Sequence, residues 1–377
     1  MKKIGILGGG QLGRMLLQAA INYPVQTYVL EKEMDCPAAH VCHHFVQGDI
    51  THYDDVYNFG KNLDAITIEI EDVNVAALIQ LEKEGIQVYP SPAALNIIKS
   101  KILQKQFYQQ HGIPSSEFIV TQQQHELEQH VQFLPAVHKI SSGGYDGRGV
   151  QLIQQATDIV KGFDAPAVLE KMVAIKKEIA IIVAVNNHKQ TAIYPAVEMI
   201  VNKDLNQLDY QLCPADLPNN TLWTIEAIAL TLVKALNSPG IFAVEFFVDN
   251  NNVVLVNETA PRVHNSGHHT IEGNCSSQFD MLWRIMLDYP LGSTNILFPS
   301  ALINIVGENG HSGPASYSGL TDILKIENAY VHMYGKSITK PGRKMGHVTI
   351  ISTEKQELIH QALKVKHGLK VVSKKLL

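Results

Sequence analysis

Glu245 and Glu258 are the residues of this chain whose type and spacing best suit chemistry. Each is the single carboxylate of an apolar run rich in valine and phenylalanine, on either side of the polar stretch Asp249-Asn250-Asn251-Asn252. Two such runs around a polar tetrad read as a β-hairpin. With a four-residue turn, Glu245 faces Val256 and Ala243 faces Glu258. The carboxylates are then diagonal neighbours on one face, roughly 7–8 Å apart at most, and suited to one or two hard cations, which prefer oxygen ligands. A one-residue slip sends them to opposite faces. The competing reading is an edge hairpin with two solvated glutamates.

The ten residues after the hairpin, Ala260-Pro261-Arg262-Val263-His264-Asn265-Ser266-Gly267-His268-His269, offer a guanidinium, three imidazoles, an amide and a hydroxyl with almost nothing to build a core. A loop of that composition suits gripping a polar ligand. Zinc is disfavoured, because no cysteine lies nearby and the loop has no helical spacing to fix the ligands. A second stretch, Ser141-Ser142-Gly143-Gly144-Tyr145-Asp146-Gly147-Arg148-Gly149, hangs between strands expected over 136–139 and 150–153. Its glycines allow backbone N–H groups close to a phosphate, and Lys139 just before it adds a cation. An ordinary glycine-rich hairpin is the alternative.

Several elements must position these groups. A short strand over 4–7 runs into Gly8-Gly9-Gly10-Gln11-Leu12-Gly13, then a helix over about 14–22 and a strand over 26–30 ending at Glu31. This satisfies the dinucleotide fingerprint, so a nicotinamide oxidoreductase is the rival from another class. The physical content is narrower: a close backbone approach and a helix N-terminus that favours an anion. Glu69, Glu71 and Asp72 close the strand expected over 65–70, at the end of an open α/β sheet where ligands bind. Ser91 caps a helix to about 99, a polar helix spans 101–111, and a new module starts at 112–114. A strand leaving into a loop is expected over 167–173, and a further strand over 179–185. An asparagine-capped helix over 220–236 reads as core packing, and an amphipathic helix over 277–287 closes the module. The last section is a series of short strands carrying Lys336 to His347, KSITKPGRKMGH, where Arg343-Lys344 follow a Pro-Gly turn. A solvated basic turn would also account for that string. The His40–His44 patch reads as a loop entering a strand, too closely spaced to wrap a metal.

Composition sets outer limits. The 377 residues suffice for two or three domains, and 45% hydrophobic content supports real cores. A net charge of −5 argues against a nucleic-acid groove. Four scattered cysteines without a CxxC pair suit reduced thiols. The longest apolar run, 179–185, is far below a membrane span, and the start MKKIGILGGG is too short in apolar residues for a signal peptide. A cytoplasmic protein is expected.

Taken together, Glu245, Asn257-Glu258 and the loop APRVHNSGH resemble the metal end of an ATP-grasp ligase, and in particular the 5-(carboxyamino)imidazole ribonucleotide synthetase family. The strings GYDGRG and GRKMGH extend the resemblance over the whole chain. It implies an α/β protein, α+β in part: a doubly wound pre-ATP-grasp domain (1–95), an ATP-grasp domain (96–290, with a flap subdomain at about 115–180) and a small C-terminal β-rich domain (291–377). It implies ATP- and bicarbonate-dependent carboxylation of aminoimidazole ribonucleotide through carboxyphosphate, with magnesium as one or two ions that manganese replaces, and a homodimer with no nucleic-acid or membrane partner. By resemblance, Glu245 and Glu258 hold the metal. Lys101, Lys139, Gly144, Tyr145, Asp146, Gly147, Arg148, Gly149, Asn257 and Glu258 meet ATP; Glu170, Lys171, Met172 and Val173 form the adenine hinge, and Glu178 takes the ribose. Tyr145, Asp146, Arg148, Arg262 and His264 serve catalysis, while Gln11, Glu69, Arg343 and Lys344 bind the nucleotide substrate. Val150 stands where a glutamine is expected, and Ile140-Ser141-Ser142 replaces a more basic stretch. Rival readings are another ATP-grasp enzyme, such as a formate-using glycinamide ribonucleotide transformylase or a biotin carboxylase, the nicotinamide enzyme above, and a catalytically dead binding protein.

Overall fold

The computed structural model describes residues 1–144, 149–202 and 207–374. The chain opens with β1 (Lys2–Leu7), α1 (Gln11–Ala20), β2 (Val25–Glu31), β3 (His44–Gln47), α2 (Tyr53–Gly60), β4 (Ala65–Ile68), α3 (Val75–Lys83) and β5 (Gln87–Tyr89). The strands form one parallel sheet, ordered β3-β2-β1-β4-β5. Ile4, Ile6, Ile66 and Ile68 are wholly buried, as expected of parallel strands covered on both faces. The order reverses at β1, so the crevice beyond the ends of β1 and β4 is where such sheets take ligands. Gln11 and Glu69 both lie there. His44 enters β3 itself and stacks on Tyr28.

Two helices lead into the next section: α4 (Pro92–Lys99) and α5 (Lys101–Gln110). Ser91 and Ser100 cap them by accepting from Ala94 and Leu103 N–H. A four-stranded antiparallel sheet follows, β6 (Phe118–Thr121), β7 (Ala136–Ile140), β8 (Val150–Ile153) and β9 (Ala167–Lys171), ordered β6-β9-β7-β8. The glycine-rich loop joins β7 to β8. Its base is tied to α5, since Lys101 N–H donates to Ser141 O and the Ser100 and Ser141 hydroxyls are 2.9 Å apart. At its far end Gly149 has φ +87°, and a Cβ there would collide with Gly144 and Ile140.

The rest is organised on a nine-stranded sheet. Its members are β10 (Ile175–Val185), β11 (Thr191–Ile193), β12 (Val197–Asn202), β13 (Gln207–Cys213), β14 (Gly240–Asp249) and β15 (Val254–Ala260), with α6 (Asn219–Leu236) between β13 and β14. Pro218, not an asparagine, occupies the cap of α6. The sheet continues beyond α7 (Thr270–Gly273) and α8 (Gln278–Met286) into β16 (Ser300–Val306), β18 (Ala329–Met333) and β20 (Lys344–Ile351); its order is β15-β14-β10-β12-β13-β16-β20-β18, with β11 on β10. β17 (Gly313–Ser318), β19 (Ile338–Thr339) and β21 (Lys370–Ser373) make a small separate sheet, and α9 (Leu320–Ile323) and α10 (Lys355–Gly368) complete the chain. The C-terminal strands therefore extend the central sheet through β13 and β16.

The two faces of β10 and β14 have different fates. Ile179, Ile181, Val244, Phe246 and Val248 pack on α6. Ile182, Ala184, Ile241 and Ala243 join α1, α8 and Tyr334 in a core shared by all three sections. Trp283 of α8 anchors that junction, its ring wholly buried and its Nε1–H donating to Leu16 O at 2.7 Å. Glu178 and Glu245 lie on this second face, so the shared core holds the N-terminal and C-terminal sections against the carboxylates.

Candidate active site

The hairpin places the two carboxylates closer than the sequence suggests. Its turn has three residues, Asn250 to Asn252, closed by Asp249 N–H to Val253 O, and Asn252 adopts φ +60°. That register alone would pair Glu245 with Asn257. A β-bulge between Glu245 and Phe246 shifts it by one more residue, so that Glu258 lies directly opposite Glu245. The expected diagonal arrangement is thus corrected to a direct pair. Ala180 of β10 pairs with Glu245, and Glu178 lies two residues away on the same face. Three carboxylates therefore share one surface.

Lysines from two other elements answer them. Lys101, first residue of α5, reaches Glu258 Oε2 at 2.7 Å. Lys139 of β7 donates to Asn257 Oδ1 at 3.0 Å and pairs with Glu170 Oε1 at 3.1 Å. Lys105, one helical turn after Lys101, lies 2.9 Å from Glu170 Oε2 and 3.1 Å from the Ser116 hydroxyl. Burial opposes the charge of Lys101, but Glu258, with Glu170 and Glu245, outweighs it and holds the ammonium above its usual range. Burial brings Lys105 down to about 8 against the pull of Glu170. Burial would raise Glu170, yet Lys139, Lys105 and Ser116 hold it at about 2. Glu245 goes the other way: burial first, then Glu258 and Glu178, push its carboxyl well up. The local surplus of partly buried carboxylate is what a divalent cation would relieve, and the donors there, Glu245, Glu258 and Asn257, are all oxygen.

The loop beyond the hairpin faces the N-terminal crevice. Arg262 Nε is 2.9 Å from Glu71 Oε1. His264 Nδ1 lies 2.9 Å from the Ser266 hydroxyl and accepts from Ser266 N–H, which leaves Nε2 as the protonated nitrogen, 3.7 Å from Glu245 Oε1. From the C-terminal section, Lys336 donates to Gln11 Oε1 and to Lys344 O, both at 2.8 Å. Arg343 turns instead to Ile338 O at 2.7 Å.

The glycine turn is already occupied by the chain's own acids. Gly10 and Gly13 N–H donate to Glu69, and Gly9 N–H donates to Glu31 Oε2 at 2.9 Å. Gly8 at φ +103° allows this, since a Cβ there would collide with Glu69. Burial raises Glu69 against the pull of those two N–H groups. A dinucleotide pyrophosphate would have to displace both carboxylates, which counts against the nicotinamide reading.

Of the anticipated site, the structure brings together Lys101, Lys139, Glu170, Glu178, Glu245, Asn257, Glu258 and His264, with Arg262, Gln11 and Glu69 across the crevice. The Glu170 carboxylate is turned into the lysine cluster. Lys171 and Met172 N–H are bonded to Glu117 O and Pro135 O, and Ile175 N–H bonds to Val173 O. Tyr145, Asp146, Gly147 and Arg148 lie outside the described residues. Sequence reasoning passed over Lys105, Lys336 and Gln278. The i, i+4 spacing of Lys101 and Lys105 on a polar helix was a usable signal; nothing in the sequence marked Gln278.

Comparison with known proteins agrees with this geometry. A ribonucleotide synthetase preATP-grasp domain matches residues 1–99, an ATP-grasp domain 106–279 and a phosphoribosylaminoimidazole carboxylase C-terminal domain 300–361. N5-carboxyaminoimidazole ribonucleotide synthase of Aquifex aeolicus is 34% identical over 97% of this chain and 96% of its own. The chain belongs to the N5-carboxyaminoimidazole ribonucleotide synthase family. The family structure from Thermotoga maritima superposes with TM-score 0.92 at 36% identity, over 99% of this chain and 100% of the other. That from Aspergillus clavatus, in complex with ADP and 5-aminoimidazole ribonucleotide, gives 0.87 at 30%, over 97% and 99%. The chloroplastic phosphoribosylaminoimidazole carboxylase of Vigna aconitifolia is 34% identical over 93% of this chain, which spans only 64% of that longer relative.

Proposed function

We propose that this chain carboxylates 5-aminoimidazole ribonucleotide at its exocyclic amine, using ATP and bicarbonate, in purine biosynthesis. The direct pairing of Glu245 and Glu258, with lysines on one side and His264 and Arg262 on the other, carries this reading. Phosphoryl transfer depends mainly on positioning and charge neutralisation. Lys101 and Lys139 stand where they would neutralise ATP phosphates, under the glycine-rich loop. Glu245 and Glu258 would hold magnesium, which would offset phosphate charge; the all-oxygen donor set and the surplus of partly buried carboxylate fit it. Transfer of the γ-phosphoryl group from ATP to a bicarbonate oxygen releases ADP and gives carboxyphosphate; its carboxyl group passes to the amine as the C–O bond to phosphate breaks, phosphate leaves and the amine gives up a proton. Gln11, Lys336 and Lys344 would hold the ribose phosphate, with Arg343 at the rim. Glu69 and Arg262 would bound the imidazole end, and His264 would sit between the amine and the metal-side carboxylates. Tyr145, Asp146 and Arg148 complete this reading from the loop.

The proposal extends to a homodimer working in the cytoplasm. Among the described residues no helix is long and apolar enough to cross a membrane, and sedimentation velocity tests the dimer. The deciding assay follows phosphate release from ATP with magnesium and bicarbonate, with and without aminoimidazole ribonucleotide. Strong stimulation with a carboxylated product is expected. Stimulation by glycinamide ribonucleotide and formate instead would overturn the substrate, and no turnover with any acceptor would overturn the activity.

A further inference from the structure

His264 is held by a side chain that touches none of the groups assigned above to ATP or metal. Gln278, the first residue of α8, is wholly buried. Its Oε1 accepts from His264 N–H at 2.8 Å and its Nε2 donates to His264 O at 2.7 Å. The same Nε2 lies 3.2 Å from His268 Nδ1. One carboxamide therefore fixes both backbone groups of His264 and the ring of the histidine one turn of loop later. Gly267 gives it room, since a Cβ there would collide with the Gln278 amide and Ile182.

From His268 the contacts continue into the C-terminal strands. Its ring centroid is 4.9 Å from that of His347, which stacks on His332 at 4.4 Å with an 11° interplanar angle. Tyr334 Oη is 3.0 Å from His347 Nδ1. His332 Nε2 reaches α7, 2.7 Å from Glu272 Oε1. His268 and His347 are at most 1% exposed. The strands that hold this column also carry Lys344, close enough to act on the charge of His268, and they lead to Lys336 against Gln11. The column thus spans from the histidine beside Glu245 to the cations that face the N-terminal crevice.

We infer that Gln278 and the His268–His347–His332 column are positioning residues for the carboxylation step, setting the spacing between His264 and the C-terminal cations Lys336 and Lys344. None of them needs to touch substrate. They act on nucleotide capture and carboxyl transfer, and not on ATP binding, whose groups are on α5, β7, β9, β10, the hairpin and the glycine-rich loop. Misplacing an aligned group by about 1 Å costs on the order of a hundredfold in rate.

This inference rests on the carboxylation reading, and the experiment separates the two. Wild-type protein, Gln278→Met, His347→Phe and His347→Asn are compared for kcat, KM for aminoimidazole ribonucleotide, KM for ATP, and bicarbonate-dependent ATP hydrolysis without the nucleotide. Gln278→Met keeps volume and loses every hydrogen bond. His347→Phe keeps a ring but not the Tyr334 contact, and His347→Asn restores an acceptor near Nδ1. We expect kcat/KM for the nucleotide to fall roughly 10–100-fold in the Met and Phe variants, with ATP KM and nucleotide-independent hydrolysis within about twofold of wild type, and partial recovery in His347→Asn. Equal losses in the nucleotide-dependent and nucleotide-independent reactions would overturn it in favour of general structural damage. Unchanged kinetics would overturn it outright. Should Gln278→Met fail to fold, the two His347 variants decide alone. A wild-type protein that does not respond to the nucleotide would overturn the carboxylation reading, and the inference with it.

Discussion

The lysine–glutamate cluster around Glu170 and the histidine column around His347 are both polar groups in the sheet-based part of the chain, yet Glu170 is held charged whereas His268 and His347 are held neutral. In the cluster, three lysines and four glutamates come from α5, β7, β9, β10 and the hairpin, and Glu170 is brought down to about 2. In the column, burial and then neighbouring cationic and imidazole groups drive His268 and His347 well below their usual range. The difference lies in what each can recruit. A charge removed from water persists only if paired, and the cluster supplies pairs from facing elements. The column has aromatic faces, amides and a phenol, which suit uncharged rings. The charged region is the one left with surplus carboxylate to meet a ligand; the neutral region is packed within the protein, with His347 Nε2 and Glu272 Oε2 buried and without a hydrogen-bond partner among the described residues, and serves as a brace.

Four changes would break or sharpen this contrast. Glu258→Gln removes a charge from the carboxylate pair without changing shape; turnover should fall by about 10³-fold or more, with an unchanged urea midpoint. Near-normal activity would remove Glu258 from the essential ligands. Lys105→Met leaves Glu170 with one ammonium fewer in a site where both partners are at most 4% exposed. Breaking such a pair costs roughly 3–5 kcal/mol, read by urea unfolding, together with a raised ATP KM because Glu170, which also holds Lys139, loses one of its two ammonium anchors; an unchanged midpoint would mean that water replaces the lysine. The third change adds a methyl group to the brace: Gly267→Ala should cost about 1–3 kcal/mol from overpacking against Gln278 and Ile182, measured as a drop in Tm. The fourth is pH. His269 is brought down to about 4 by burial, so the unfolded chain binds the extra proton first. Its contribution is therefore complete above about pH 6.5 and is lost as pH falls towards 4, roughly 3 kcal/mol in all. Unfolding free energies at pH 7.5 and 5.0 for wild type and His269→Asn measure it, and the variant should show the smaller difference.

Much of the charged region was readable from the sequence, and almost none of the neutral one. Lys101, Lys139, Glu178, Glu245 and Glu258 are charged residues at element ends or in apolar strands, where their presence asks for a reason. The glycine-rich loop and the two halves of the hairpin were visible from composition and alternation. What escaped was geometry: the three-residue turn and the bulge at Asn257, which no propensity marks. Glu170 was assigned to a nucleotide hinge because its strand was recognised, but its side-chain direction depends on Lys105 from a helix far away in sequence. The column escaped for a different reason. Gln278 and His332 lie in ordinary patterns that carry no local signal, and although His268 and His347 stand in strings that the sequence singles out, only the tertiary arrangement brings His347 against His332 and His268. Likewise the fingerprint at Gly8–Gly13 was legible as a turn, but not the two acids that fill it, because Glu31 and Glu69 come from the ends of other strands.

The bulge at Asn257 has a consequence for how this hairpin can change over time. An odd turn and an odd bulge add to an even number, and it is their sum that keeps Glu258 on the face of Glu245. Insertions and deletions in the 250–252 turn should therefore be tolerated two residues at a time, or singly only when the bulge is lost in the same lineage. A relative with one residue fewer at the tip is expected to run its second strand straight past Glu258. Length variation at this exposed tip, which looks free to drift, is tied by parity to the face on which the Glu258 carboxylate emerges.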